Sequence, residues 1–467
     1  MKTSKSPYGC VLFLGLLFMQ LAGPAQSPAD AERRLTEYLD IQHERTGFSG
    51  VVMIAGSDGQ VIEKATGLAS RELGVAMPVD AKFKIASMTK SFTAMLVTLA
   101  RKEGKLTLDD KIGLHLKGVP GGSWDGITIR HLMAHTSGIP HWAGFDHYWT
   151  EKAFLPLREE QILAEIYSMA LASEPGTRFH YSSPAYYLLA TIIKRVYADS
   201  FDNILQAKIL DRLGMKESGT CNGLTILPGM SSGYHLVSGD SLVVAPPRSM
   251  ATMKGGGNMY ATAGDMTAWC RSFLSGHTWG SDVVEEVFTP VTDHPTHKDG
   301  ARYGRGWYLA GPSDSKPEAC HIGGGTFGFS AKAAVYPAHN VSIVILANVS
   351  FLPVDHILSD VEKIAFGRPF RMPERLQETV DLTGDELIKV TGTYRAASGM
   401  TLQVSLHEGR LYARLGANPP LELYAKNEYS FFANKIPVQF TFKTDETNTV
   451  KGLEATGRGR TDYFQKQ

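Results

Sequence analysis

The sequence predicts an α/β (α+β) fold in which an antiparallel sheet is flanked by helices and followed by a separate all-β domain. Alternating, β-branched segments at 329–336 and 341–346, joined by a turn, predict two paired antiparallel strands. Segments 50–55 and 61–67 predict another hairpin around an Asp-Gly turn. From residue 389 onward, apolar residues alternate at period two, which is typical of half-buried strands. That last pattern is separate from the others and predicts its own domain.

Helical patterns lie beside these strands. The segment 29–45 is charged and periodic enough for a surface helix, and 354–366 predicts a helix that closes the first part of the chain. The segment 83–99 has a polar start and an apolar continuation, which predicts a buried helix.

Size and charge limit the function classes open to this chain. A length of 467 residues is too long for one ordinary domain, so two to three are expected. Hydrophobic residues make up 43% and charged residues 20%, which indicates a soluble globular protein with ample core. Lys+Arg and Asp+Glu are equal at 47, so charge favours neither nucleic acid nor an anionic membrane as a partner.

The N-terminus predicts a secretory signal peptide over residues 1–25. Lys2 and Lys5 precede an apolar run at 11–21, and small residues follow up to Ala25. A run that short cannot cross a bilayer about 30 Å thick as a stable helix, but it fits the apolar part of a signal. We therefore expect a secreted or periplasmic protein with no membrane span in its mature chain. A retained N-terminal anchor is the alternative.

Cysteine and histidine spacing predicts neither a metal site nor a cofactor. Cys221, Cys270 and Cys320 follow the predicted signal peptide, and an odd number allows at most one disulfide. Which two would pair stays open, and the spacing gives no zinc pattern. His131 and His135 lie four apart on a predicted short helix, as helix-borne metal ligands can, yet no third ligand is evident.

The polar start of the buried helix predicts the chemistry. Ser87 and Lys90 are three residues apart, and because positions i and i+3 share a helix face, the lysine amine can reach the serine oxygen. Serine is a weak nucleophile until a neighbouring base takes its proton, and a desolvated amine can be that base. A helix N-terminus also favours negative charge developing on the serine oxygen. Ser87 is therefore the predicted nucleophile.

Two other serines compete with Ser87. Ser313 and Lys316 repeat the spacing, but in a Gly/Pro loop with no helix after it, and we interpret that copy as surface. The segment 229–233 matches the nucleophile elbow of α/β-hydrolases, with Ser231 at its centre. An elbow requires a strand before the serine and a helix after it. Here the following residues look extended, which disfavours Ser231.

Two later segments bring polar groups to the ends of predicted elements. Tyr181 to Ser183 precede Pro184, which opens an apolar helix. His321 to Gly325 precede the paired strands, and glycines at a strand edge let a substrate approach the backbone closely.

In this order, the three segments resemble the active-site motifs of the penicillin-binding and serine β-lactamase superfamily. The run HTSGIP at 135–140 looks like the class C β-lactamase-related branch, which includes esterases, D-amino-acid peptidases and carboxypeptidases. The resemblance covers about 48–366, and the tail is similar to a small lipocalin-like barrel. It implies a β-lactamase-related catalytic domain with a helical lobe at 26–368, a linker at 369–388 and a barrel at 389–467.

The resemblance also implies roles. Ser87 would be the acylated nucleophile, Lys90 its proton partner and Tyr181 the second base and acid. We expect the ammonium of Lys90 to favour the phenolate of Tyr181, which couples the two titrations. The N–H groups of Ser87 and Gly324 would form the oxyanion hole. The residues implied to surround the substrate are Ser183, His321, Gly323 and Gly324.

Two positions depart from the family pattern. Ser183 stands where an Asn is usual, and His321 stands where a Lys usually pairs with a substrate carboxylate. A histidine is mostly neutral at pH 7. Both departures argue against an efficient β-lactamase and leave the acyl-transfer groups in place.

The sequence therefore predicts a secreted serine hydrolase that cleaves an amide or ester through a Ser87 acyl-enzyme. D-amino-acid peptidase, carboxypeptidase and esterase types are all open, and the expected partner is a small-molecule or peptide substrate. A true β-lactamase is one alternative, and a non-catalytic penicillin-binding-like scaffold is an alternative of another class. A homo-oligomer is possible.

Overall fold

A computed structural model describes residues 27–467 with short internal exceptions. The exceptions are 58, 143–146, 149, 239–240, 275–276, 293–301, 312–317, 376–378, 417–419, 434–437 and 458–459. The predicted signal peptide and the second Ser-x-x-Lys copy at Ser313 lie outside the described residues. In the part of the chain that is described, no helix combines the length and apolar character needed to cross a membrane.

The helices are α1 (Pro28–Thr46), α2 (Thr89–Lys102), α3 (Ile112–His115), α4 (Ile129–Met133), α5 (Glu159–Tyr167), α6 (Ser183–Tyr197), α7 (Phe201–Leu205), α8 (Asp211–Leu213), α9 (Ala263–Arg271), α10 (Ser281–Val287), α11 (Val354–Ala365) and α12 (Gly384–Lys389).

The strands of the first part are β1 (Gly50–Ala55), β2 (Val61–Thr66), β3 (Leu68–Ser70), β4 (Val75–Ala76), β5 (Phe83–Lys84), β6 (Gly219–Thr220), β7 (Tyr234–Ser238), β8 (Ser241–Val244), β9 (Met259–Ala261), β10 (Arg302–Tyr303), β11 (Tyr308–Ala310), β12 (Ala319–Thr326), β13 (Phe329–Tyr336), β14 (Val341–Ala347) and β15 (Val349–Ser350). The strands of the tail are β16 (Gly392–Ala396), β17 (Thr401–His407), β18 (Arg410–Leu415), β19 (Leu421–Asn427), β20 (Ser430–Ala433), β21 (Val438–Thr444), β22 (Val450–Gly457) and β23 (Arg460–Lys466).

An antiparallel sheet in the order β10-β11-β12-β13-β14-β1-β2 organises the first part of the chain. Both predicted hairpins are confirmed, because β1 pairs with β2 and β13 pairs with β14. Side chains alternate between the two faces. On one face, Ile343 and Ile345 share a buried cluster with α1 and α11. On the other, Val344 and Leu346 share a larger cluster with α2, α6 and α9.

The helical lobe lies between β2 and β10 in the chain, and its helix α2 packs along α6. The α2 residues Leu96 and Val97 are fully buried in the cluster that also contains Val51 of the sheet. Helix α2 therefore packs between the sheet and the other helices of the lobe.

The tail closes into a barrel of β16 to β23, in which β16 pairs with β23. Its interior holds the alternate residues of each strand, such as Leu402 and Val404 of β17. The predicted all-β fold is confirmed, and its period-two pattern marks the inward-facing residues. Helix α12 contributes Leu387 to the same core, so the end of the predicted linker packs against the barrel.

The three cysteines within the described residues form no disulfide. Cys221, Cys270 and Cys320 are buried and unpaired. Burial raises the pKa of all three thiols, which keeps them protonated at neutral pH.

Candidate active site

Ser87 lies in a 3-10 turn, Ala86–Met88, that connects β5 to α2. Ala86 has φ +46°, a left-handed conformation that residues with side chains seldom adopt. Thr89 holds this turn, because its hydroxyl donates to the Ala86 carbonyl at 2.7 Å and accepts from the Met259 N–H at 3.2 Å. The half-buried Ser87 is thereby fixed at the start of α2.

The amine of Lys90 reaches three oxygen atoms. Its Nζ lies 3.1 Å from Ser87 Oγ, 3.0 Å from Ser183 Oγ and 2.7 Å from the Gly256 carbonyl oxygen. The Lys90 side chain is 1% exposed. The predicted reach from lysine to serine is thus present.

Burial lowers the pKa of Lys90 from 10.5 to about 7, and the positive charge of Arg248 adds to the effect. Desolvation disfavours the charged form of an amine, and a nearby cation disfavours it further. The Arg248 guanidinium is itself buried, where it donates to Thr326 Oγ1 at 3.1 Å and to the Tyr148 hydroxyl at 2.7 Å. A large fraction of Lys90 is therefore a neutral amine at pH 7.

The Tyr181 ring centre lies 4.8 Å from Lys90 Nζ, and its interaction with Ser87 lowers the pKa of the phenol. Burial first, and the phenol of Tyr308 second, raise the pKa of Tyr181 well above its usual range. The expectation that Lys90 would favour the phenolate is wrong, because burial raises the pKa of Tyr181 and also lowers the pKa of Lys90. Tyr181 is a neutral phenol and can donate a proton.

His135 positions the loop that carries Tyr181. Its Nδ1 accepts from the Ser182 N–H at 3.1 Å, and its Nε2 lies 3.2 Å from the Tyr303 hydroxyl. Its ring centre is 4.4 Å from that of Tyr181. Burial lowers the pKa of His135 well below 6.5, so the ring is neutral. His131, the other histidine of the spacing considered for a metal site, instead takes part in the N-terminal capping box of α4.

The open edge of β12 lies against the Ser87 turn. Strand β11 pairs with β12 only up to His321, so the following residues are free of that neighbour. An added Cβ on Gly324 would lie 2.2 Å from the Ile85 carbonyl oxygen and 3.0 Å from the Ser87 nitrogen. Only glycine allows this approach, which brings the two backbone segments of the predicted oxyanion hole together.

Gly324→Ala should therefore lower kcat/KM by about tenfold or more, because the Ser87 turn or β12 must shift by about 1 Å. Gly325→Ala is the matched control, since an added Cβ there meets nothing within 4 Å. Initial rates of the two variants on one ester substrate make the comparison. Equal rates would contradict the assigned contact between β12 and the turn.

His321 and Gly323 precede Gly324 on β12, and residue alternation turns them to the opposite sheet face from Gly324. The His321 ring stacks on Tyr308, its cross-strand partner on β11, with centroids 5.4 Å apart and planes at 13°. Tyr308 in turn contacts Tyr303, so aromatic rings link His321 to the Tyr181 loop. Contact of His321 with a substrate carboxylate stays a prediction.

His141 was missed at the sequence level, because no local spacing pattern marks it. Its Nε2 lies 3.3 Å from Ser183 Oγ, and its ring stacks on Tyr181 with centroids 5.8 Å apart and planes at 17°. Burial and then the charge of Lys90 lower the pKa of His141 to about 4. It is therefore a neutral imidazole at pH 7, in contact with two predicted site residues.

Ser231 does not occupy a nucleophile elbow. Its hydroxyl donates to the Lys82 carbonyl at 2.9 Å, and the side chain is buried. The next element is strand β7 rather than a helix, which confirms the extended conformation predicted there.

Comparison with known proteins places this geometry in a family. Residues 31–363, well over half of the chain, match the family model described as Beta-lactamase. The chain belongs to the beta-lactamase family. Residues 378–465 match a second model, a domain of unknown function (DUF3471).

Relatives of this beta-lactamase family member include proteins named as penicillin-binding proteins and as a D-alanyl-D-alanine-carboxypeptidase/endopeptidase. Penicillin-binding protein 4* of Bacillus subtilis (strain 168) is 26% identical over 422 residues, which cover 86% of this chain and 92% of the relative. The D-alanyl-D-alanine-carboxypeptidase/endopeptidase AmpH of Escherichia coli (strain K12) is 23% identical over 378 residues, which cover 77% and 96%. The octameric penicillin-binding protein homologue from Pyrococcus abyssi has a TM-score of 0.67 at 22% identity and covers 94% of this chain and 100% of its own. These matches support a serine hydrolase related to penicillin-binding proteins.

Proposed function

We propose that this protein cleaves an amide or ester bond through an acyl-enzyme on Ser87. One observation carries the proposal: Ser87 Oγ lies 3.1 Å from the amine of a buried Lys90 whose pKa is about 7. An amine with a pKa near ambient pH can take the serine proton and return it later.

The proposed reaction follows from the protonation states. Lys90 accepts the Ser87 proton as the serine oxygen attacks the substrate carbonyl carbon. The N–H groups of Ser87 and Gly324 hold the oxygen that becomes negative. Tyr181, a neutral phenol, donates its proton to the departing nitrogen or oxygen and takes up the proton that Lys90 holds. A water molecule then attacks the acyl-enzyme with the same groups acting in reverse.

For substrate class, we propose a D-amino-acid peptide, amide or simple ester. The relative AmpH, named a D-alanyl-D-alanine-carboxypeptidase/endopeptidase, supports a peptide-type substrate. A true β-lactamase is the second candidate, which the family match favours and the unusual Ser183 and His321 disfavour. A non-catalytic scaffold is disfavoured by the short Ser87–Lys90 contact.

We also propose a secreted or periplasmic location, supported by the signal-like pattern at residues 1–25. A homo-oligomer is part of the proposal, since the Pyrococcus abyssi relative is described as octameric.

A substrate panel tests the reaction. D-aminoacyl amides, a D-alanyl-D-alanine peptide, short-chain esters and a chromogenic cephalosporin are each incubated with the protein, and rates and acyl adducts are measured. We expect turnover of an amide, peptide or ester and a mass increase on the peptide that contains Ser87. Fastest turnover of the cephalosporin would favour the β-lactamase. No turnover and no adduct with any compound would contradict the proposed reaction and favour a non-catalytic scaffold.

Activity should depend on pH through Lys90. Because the base must be unprotonated, kcat/KM for an uncharged ester should fall about tenfold for each pH unit below about 7 and level off above it. His141, with a pKa of about 4, does not titrate in this range. Rates from pH 5 to 9 provide the measurement, and a flat profile would exclude Lys90 as the base.

A further inference from the structure

A line of polar contacts continues beyond the two groups that the proposed reaction uses. Ser87 Oγ, Lys90 Nζ, Ser183 Oγ and His141 Nε2 follow one another at 3.1, 3.0 and 3.3 Å. The Gly256 carbonyl is the third neighbour of Lys90, at 2.7 Å. The first three side-chain groups are buried or half-buried, and the line runs from the nucleophile to the half-buried imidazole.

The donors and acceptors in this line determine the direction of each hydrogen bond. A neutral amine has two N–H groups and one lone pair. A carbonyl oxygen only accepts, so Gly256 takes one N–H of Lys90. If Ser87 is to be deprotonated, its hydroxyl must donate to the lone pair. The second N–H must then go to Ser183, and the Ser183 hydrogen must point elsewhere.

His141 provides the acceptor for that hydrogen. An imidazole that is neutral with its proton on Nδ1 accepts at Nε2, the atom that faces Ser183. Burial opposes protonation of the ring, and so do the nearby Lys90, Arg248 and His180. A Ser183 hydroxyl that donates to His141 cannot also donate to Lys90.

We propose that His141 is a positioning residue which, through Ser183, keeps the lone pair of Lys90 directed at the Ser87 hydroxyl. Without it, the Ser183 hydroxyl is free to turn and occupy that lone pair in competition with Ser87. The inference rests on the proposed Ser87 acyl-enzyme and adds two residues that govern its rate of formation.

Two substitutions separate the acceptor from the ring. His141→Phe keeps an aromatic ring to stack on Tyr181 but removes the acceptor, whereas His141→Gln keeps an acceptor near the Nε2 position but removes the ring. The rate of Ser87 labelling by an active-serine probe at pH 8 measures acylation. We expect about a tenfold loss for His141→Phe and less than about threefold for His141→Gln. An unchanged His141→Phe rate, or a His141→Gln rate as low as that of His141→Phe, would overturn the inference.

A double-mutant cycle tests whether His141 acts through Ser183. Adding His141→Phe to Ser183→Ala should cause no further loss, because the hydroxyl that His141 orients is absent. If the labelling rate of the double variant fell by the product of the two single fold losses, the two residues would act independently and the inference would be overturned. His180→Phe is the control, since it removes another imidazole beside the site, and its labelling rate should equal that of the unaltered protein. Thermal unfolding of each variant identifies any that misfolds.

The same experiment distinguishes this inference from the proposed function. If the unaltered protein is not labelled on Ser87, the proposed function fails and the inference fails with it. If the unaltered protein is labelled and His141→Phe is labelled equally fast, only the role of His141 is withdrawn.

Discussion

Ser87→Ala is expected to abolish labelling by an active-serine probe and to lower turnover by about 10⁴-fold or more. The substitution removes the oxygen that forms the acyl bond, and the neighbouring Thr89 hydroxyl is already held by the Ala86 carbonyl. The measurement combines probe labelling, followed by mass spectrometry of the labelled peptide, with initial rates on the best ester or amide of the panel.

Ser231→Ala is the matched control for this loss. Ser231 is the rival from the elbow pattern, and its hydroxyl only donates to the Lys82 carbonyl. We expect the variant to keep both label and turnover. A label that survives Ser87→Ala and disappears with Ser231→Ala would move the nucleophile to Ser231.

Tyr181→Phe is expected to lower turnover of an amide by about 10² to 10³-fold, the size of effect that loss of a general acid causes. The ring contacts with His135 and Lys90 remain, so the free energy of unfolding should change little. The loss should be much smaller for a nitrophenyl ester, because a good leaving group needs no proton. Rates on a matched amide and nitrophenyl ester provide the measurement.

Tyr186→Phe is the control for Tyr181. Its ring centre lies 5.6 Å from Lys90 Nζ, and its hydroxyl donates to the Met133 carbonyl at 3.0 Å. Its removal should cost about 1 kcal/mol of unfolding free energy and leave the amide-to-ester ratio unchanged. An unaltered amide rate in Tyr181→Phe would show that the Tyr181 hydroxyl is not the general acid.

Much of the fold could be predicted because the relevant patterns are local. Period-two alternation predicts the hairpins at β1–β2 and β13–β14 and the barrel strands, because successive side chains of a strand point to opposite faces. The short helix α12 inside the predicted linker was missed, because its contact with the barrel core through Leu387 depends on distant residues.

In the candidate site, too, local contacts could be predicted and contacts between distant segments could not. The Ser87–Lys90 contact could be predicted, because a separation of three residues on one helix face sets the distance by itself. The need for glycine at position 324 could not be predicted from the sequence, because it arises from the close approach of β12 to the Ile85 carbonyl.

The two hairpins, the barrel strands, the nucleophile candidate and its nearest amine could be predicted because each depends on residues close together in the chain. The protonation states and the further partners depend on how distant segments pack together. Burial lowers the pKa of Lys90 to about 7 and raises the pKa of Tyr181, and burial is a property of the whole packed core. Ser183 contacts Lys90 where α6 meets α2, and His141 contacts Ser183 from the loop that follows α4, across separations that no sequence period encodes.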